Sequence, residues 1–249
     1  MGILCYDDLM RYASNDHVYY VLWATILGVI LNLFPPILFA QSLDSTLLPY
    51  LDIRKTSIEG PTHHQADTQF KQAITLHNTA YLTNNLDAAI QSKLILERFN
   101  QQKKSPLYPY ALAYLGSVNA IIGKLSPNPI EKWAHTTDGL KKLKQANQSY
   151  RTVSVIIPIL QANVCLSVPS FFKALSDAES ATAYLLSVVN ESILQPDIMA
   201  EIYRLHGDVL HRNGSPKQAA IYWRKAVAAS PTSMAGIRAA SQLLPNQEN

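Results

Sequence analysis

From residue 66 onward, apolar residues recur at spacings of three and four, in blocks of about 12–20 residues. Pro, Gly and Asn fall between the blocks. A repeat with that period is the buried stripe of an amphipathic helix, and the residues between are those that stop one. The pattern predicts helices over residues 66–83, 86–100, 107–123, 129–147, 150–166, 170–190, 197–212, 216–229 and 233–243. One run, "VSVIIPILQA", is rich in β-branched residues and by local propensity suits a strand. No second strand is available to pair with it, so it is read as a helix kinked near Pro158. The expected fold class is all-α.

The prolines support this parsing. Pro106, Pro129, Pro169, Pro196, Pro216 and Pro231 stand at or near predicted helix starts. Proline suits the first turn because its missing N–H has no partner there and its φ is already helical. Ser105, Asn128 and Ser215 precede three of them and are placed to cap the free amides. Gly214 is expected to take a left-handed conformation that ends helix 197–212. A corner that short makes helices 197–212 and 216–229 antiparallel neighbours.

The first forty residues follow another pattern. Residues 18–40, "VYYVLWATILGVILNLFPPILFA", carry no charge and are long enough to cross a bilayer. Asn32 and Pro35-Pro36 interrupt them and leave a short apolar core at 21–31. A core of that size, with "LFA" before "QS", fits a secretory signal cleaved after Ala40. Leu38 is large for such a site, and Asp7, Asp8 and Asp16 outnumber Arg11 before it. A start at Met10 removes two of those acids. A cleaved signal, a retained membrane anchor and a buried helix all remain open. Residues 41–65, with "EGPTHHQ", read as a polar linker, which leaves 66–249 as the helical domain. The expected location is therefore exported: periplasmic, or anchored to the membrane and facing out of the cytoplasm.

Composition narrows the chemistry. The chain has 249 residues, 48% of them hydrophobic, with nine Gly and a net charge of +3. That charge is too small to be the footprint of a nucleic-acid binder. Lys141, Lys142 and Lys144 cluster as one solvated helix face. Cys165 sits in an apolar run and reads as a buried structural thiol, and Cys5 follows no apolar run that would make it a lipid attachment site. There is no G-x-S-x-G, phosphate-binding glycine loop, H-E-x-x-H or C-x-x-C. His63 and His64 are adjacent in the linker, a poor arrangement for one ion. His77, His206 and His211 read as packed or surface residues. No cofactor, metal or catalytic residue is expected. Three glycosylation sequons begin at Asn147, Asn190 and Asn213.

The stretch "AEIYRLHGDVLHRNGSPKQAAIYWRKAVAASP" resembles a tetratricopeptide repeat. With Ala200 as the first position, Tyr203, Gly207, Leu210, Ala219, Trp223, Ala226 and Pro231 fall on the anchors of that motif, and His206 replaces the usual Leu. The likeness thins elsewhere. "ALAYLGSVNAIIGKL" keeps the Leu115-Gly116 pair, but its second helix is displaced by an insertion. "NTAYLTNNLDAAIQ" has Asn84-Asn85 at the turn and His77 where the glycine would stand.

The resemblance implies a right-handed superhelix of about four antiparallel hairpins with a C-terminal capping helix. It implies a non-enzymatic module that offers a groove to an unidentified protein or peptide partner. An envelope-associated hydrolase and a purely structural scaffold are the rivals. In such repeats the first helix of each hairpin lines the groove. Carried onto this chain, the groove positions are Glu201, Arg204, Asp208, His211 and Arg212, with Tyr110, Tyr114 and Ser117 in an earlier hairpin. Arg204 and Asp208 are also spaced to pair on the helix surface.

Overall fold

The computed structural model describes residues 61–189 and 194–244, with side chains from residue 68 onward. The apolar segment at 18–40, the two start codons, Cys5 and the Asn190 sequon lie outside the described residues. These form α1 (Pro61–Thr83), α2 (Leu86–Gln101), α3 (Tyr108–Leu125), α4 (Pro129–Tyr150), α5 (Ile156–Ser167), a 3-10 turn (Ser170–Phe172), α6 (Leu175–Val188), α7 (Pro196–Arg212), α8 (Pro216–Ala229) and α9 (Met234–Leu243). There is no strand among the described residues. No helix among them is long and apolar enough to cross a membrane.

Each helix packs on the next in the chain, and each odd-numbered helix also packs on the next odd-numbered one. No two even-numbered helices meet to that extent. The result is a row of hairpins whose odd helices form one continuous rank. The core centres on α3 and α5, which are apolar on nearly every side and buried accordingly.

The helix boundaries follow local chemistry. Pro129, Pro196 and Pro216 open α4, α7 and α8. The Asn128 side chain accepts from the Ile130 N–H at 2.9 Å, while Ser105 accepts from Leu107 in the turn before α3. Ser215 stands at the α8 N-cap but makes no side-chain capping bond. Asn85 and Ser233, which pattern alone did not single out as caps, do cap α2 and α9. After α7, Gly214 has φ +75°. The Ser215 N–H donates to Leu210 at 2.9 Å and the Gly214 N–H to His211 at 3.0 Å, the paired closure of a left-handed helix stop.

Three expectations are corrected. Pro158 does not kink a helix: α4 runs on to Tyr150, the chain turns, and α5 starts at Ile156, which puts Pro158 in a first turn. The helix expected over 170–190 is a 3-10 turn followed by α6, parted at Lys173, whose φ is +53°. His63 and His64 fall within α1, which starts at Pro61.

Candidate functional site

The spacing of Glu201, Arg204 and Asp208 puts three charges on one side of α7. That side faces α5. The Arg204 Nε donates to Glu201 Oε2 at 2.9 Å and its Nη2 to Glu201 Oε1 at 2.7 Å, a two-bonded carboxylate grip within one helix turn. Nη2 also donates to Asn163 Oδ1 of α5 at 2.9 Å, and Nη1 donates to Asp208 Oδ2 at 2.5 Å. The Asn163 amide returns a bond to Glu201 Oε1 at 2.8 Å. From α8, Trp223 Nε1 donates to Asp208 Oδ1 at 2.9 Å. One guanidinium thus ties α5, α7 and α8 together, with four of its five N–H donors engaged by these partners.

Burial decides what this cluster does. Arg204 is 1% exposed and Glu201 6%, while Asp208 keeps about a fifth of its side chain in solvent. Burial favours the neutral acid at Glu201, but Arg204 and Asn163 outweigh it and leave the carboxyl below its usual range. At Asp208 burial prevails over Arg204 and the indole N–H, and the carboxyl lies above its usual range. Burial works against the Arg204 charge, and Glu201 and Asp208 more than restore it. A raised carboxyl in a charged cluster is a common sign of catalysis. Here both Asp208 oxygens already accept hydrogen bonds. The geometry is that of a clamp between helices.

A second, neutral knot joins α1 to α3. His77 is fully buried, and its Nε2 lies 2.8 Å from the Ser117 hydroxyl and its Nδ1 3.0 Å from Asn78 Oδ1. Its ring packs edge-on against Tyr114 with centroids 5.2 Å apart. Burial holds the imidazole neutral, lowering its pKa to about 4, and raises the Tyr114 phenol above its usual range. Between these knots, Tyr81 of α1 shares a hydrogen bond with Arg238 of α9.

The residues expected to line a groove are therefore divided. Arg204, Glu201, Tyr110, Tyr114 and Ser117 are buried by the chain's own packing. His211 and Arg212, at the end of α7, are both exposed to solvent. Arg204 and Asp208 do pair, but in the interior and not on the helix surface. Cys165 is buried and its thiol is pushed up to about 12, as a structural thiol would be. The Asn147 side chain, the acceptor of its sequon, is buried as well. No group of three His, Cys, Asp or Glu among the described residues is placed to hold a metal ion.

Sequence pattern missed one surface. Trp133 of α4 and Phe171 of the 3-10 turn are each about half exposed, at 54% and 48%, and their rings stack with centroids 5.7 Å apart at 9°. Phe172 completes the group, 4.8 Å from Trp133 and 4.6 Å from Phe171. Ile130, one turn before Trp133, is 79% exposed. The adjacent "FF" after Pro169 was the available signal, but a helix through 170–190 would have sent the two rings to different sides.

No protein-family model matches this chain, and no curated protein and no solved structure matches it.

Proposed function

We propose that this chain is a non-enzymatic helical-repeat module of the tetratricopeptide type, wound as a right-handed superhelix, that binds a protein or peptide partner. The observation that carries the reading is the Trp133–Phe171–Phe172 cluster. Three large rings gather at the surface, on one another, while the other aromatic clusters of the described residues centre on buried side chains such as Phe70, Tyr114 and Tyr203. Stacked exposed aromatics are what interaction surfaces have and isolated monomer surfaces lack. The hairpin row, and the close approach of Trp223 to Gly207, where an added methyl would stand 2.6 Å from the indole, support the repeat type. The charge-free run at 18–40 supports an exported or membrane-tethered site of action.

The odd-numbered helices contribute little to such a partner beyond His211 and Arg212, because Asn163, Glu201, Arg204 and Asp208 bond to one another, as do His77, Asn78 and Ser117. A photo-activated cross-linker at residue 133, and separately at residue 212, tests this in the native host. The expected result is a discrete adduct from residue 133 that Phe171→Ser removes. Adducts from residue 212 alone would move the partner to the end of α7. Adducts from neither position would overturn the proposal. A reporter active only outside the cytoplasm, fused after Asn249, tests the location, and an inactive but intact fusion would contradict it.

A further inference from the structure

A cavity of about 390 Å³ opens between α7 and α8, bounded by Leu194, Pro196, Met199, Tyr203, Lys225, Ala228 and Ala229. It is independent of the aromatic surface and of the Arg204 clamp. Met199 and Tyr203 are four residues apart on α7, on a different face from Glu201, Arg204 and Asp208. Its walls are fixed at one end by the Ser230 hydroxyl, which donates to Asp197 at 2.6 Å and joins the end of α8 to the start of α7. Its volume lies in the range of small-molecule sites.

Among the described residues the lining is aliphatic and aromatic apart from one cation. Lys225 Nζ lies 5.5 Å from the centroid of the Tyr203 ring and 5.2 Å from that of Tyr222, and the two rings are 6.2 Å apart. Two aromatic faces hold the ammonium over the mouth without neutralising it. Among the described residues no carboxylate pairs with Lys225. An apolar slot with an exposed ammonium at its edge, paired with no described carboxylate, complements a molecule with an apolar body and one anionic end. We propose that this cavity binds an aliphatic carboxylate of the fatty-acid type. The chain lies along Pro196, Met199, Ala228 and Ala229, and the carboxylate accepts hydrogen bonds from Lys225 Nζ. Small residues on α8 leave the room: Ala228 and Ala229 present single methyl groups where larger side chains would close the slot.

Titration calorimetry of the full chain with sodium decanoate below its micellar concentration tests the site. The expected result is saturable one-to-one binding, with decanol binding about tenfold more weakly or worse because it lacks the charge-assisted bond. Lys225→Met keeps the stem and removes the charge, so it should abolish the preference for decanoate over decanol. Ala228→Trp should fill the slot and abolish binding while the circular dichroism spectrum and Tm stay near wild type. Decanoate binding that survives Ala228→Trp, or an equal affinity for decanol in the wild type, would overturn the proposal. So would the absence of saturable binding, or a short peptide ending in leucine binding where decanoate does not.

Discussion

In the α3–α4 hairpin, backbone meets backbone; in the α7–α8 hairpin, backbone meets an aromatic ring. A methyl group on Gly139 would stand 2.6 Å from the Gly116 carbonyl oxygen and 2.9 Å from the Ala120 nitrogen. One on Gly207 would stand 2.6 Å from Cδ1 of Trp223, with the Ala219 carbonyl farther off at 3.2 Å. In the first crossing, at Gly139, every atom within 3 Å is backbone, so nothing there can give without parting the helices. The second has an indole, and that indole is held in place by Asp208, which Arg204 holds in turn. Both hairpins rely on a glycine, yet only α7–α8 routes its close contact through a charged network. Small residues set how near two helices come, and the group opposite the glycine sets how much the contact resists change.

The largest break in that comparison is predicted at the charged end. Arg204→Ala strands Glu201 and Asp208 in the interior and should cost about 3–5 kcal/mol, read as the urea unfolding free energy. Next is the neutral knot beneath α3. The folded state lowers the His77 pKa from 6.5 to about 4, so the unfolded chain takes up the proton first as pH falls. Stability is complete above pH 6.5 and declines towards pH 4, by about 3 kcal/mol from this group. His206 and His135 are also lowered by burial and add in the same direction. The difference between wild type and His77→Gln isolates the contribution, and parallel pH curves for the two would contradict it.

The glycines sharpen the comparison directly. Gly139→Ala should cost about 2–3 kcal/mol, near the top of the overpacking range, because only backbone faces it so closely. Gly207→Ala should cost less, about 1–2 kcal/mol, because a side chain and not backbone stands nearest, and moving it strains only its bond to Asp208. Equal losses, or the reverse order, in paired thermal melts would erase the distinction. The smallest effect is at Gly214, where a methyl group meets nothing within 4 Å and only the φ of +75° is penalised. Gly214→Ala should lower stability by about 1 kcal/mol.

The two hairpins were not equally legible. In α7–α8 the anchors fall at regular spacing, so the positions of Gly207, Ala219 and Trp223 along the chain are enough to declare a close crossing. In α3–α4 both helices are longer, at 18 and 22 residues against 17 and 14. The close partner of Gly116 is therefore Gly139, well beyond where a repeat of regular length puts it. Proline marked the starts of α4, α7 and α8, but local propensity misread Pro158, because a β-branched run says nothing about where the preceding helix ends. The pairing of Arg204 with Asp208 was visible as a spacing of four. Its burial was not, since Asn163 reaches it from α5, forty-one residues away in the chain. The exposed aromatic cluster was hidden for a similar reason: the left-handed Lys173, with φ +53°, breaks a pattern that reads as continuous helix.

The claim that Asp208 couples the Arg204 ion pair to the glycine crossing is tested most directly by a double-mutant cycle. Trp223→Phe keeps an aromatic ring and removes the N–H, while Arg204→Met keeps the stem and removes the charge. If both act through Asp208, their unfolding free energies will be non-additive, with a coupling of about 0.5–3 kcal/mol. Losses that add to within about 0.3 kcal/mol would show that the indole and the guanidinium stabilise the hairpin independently, and would contradict the account.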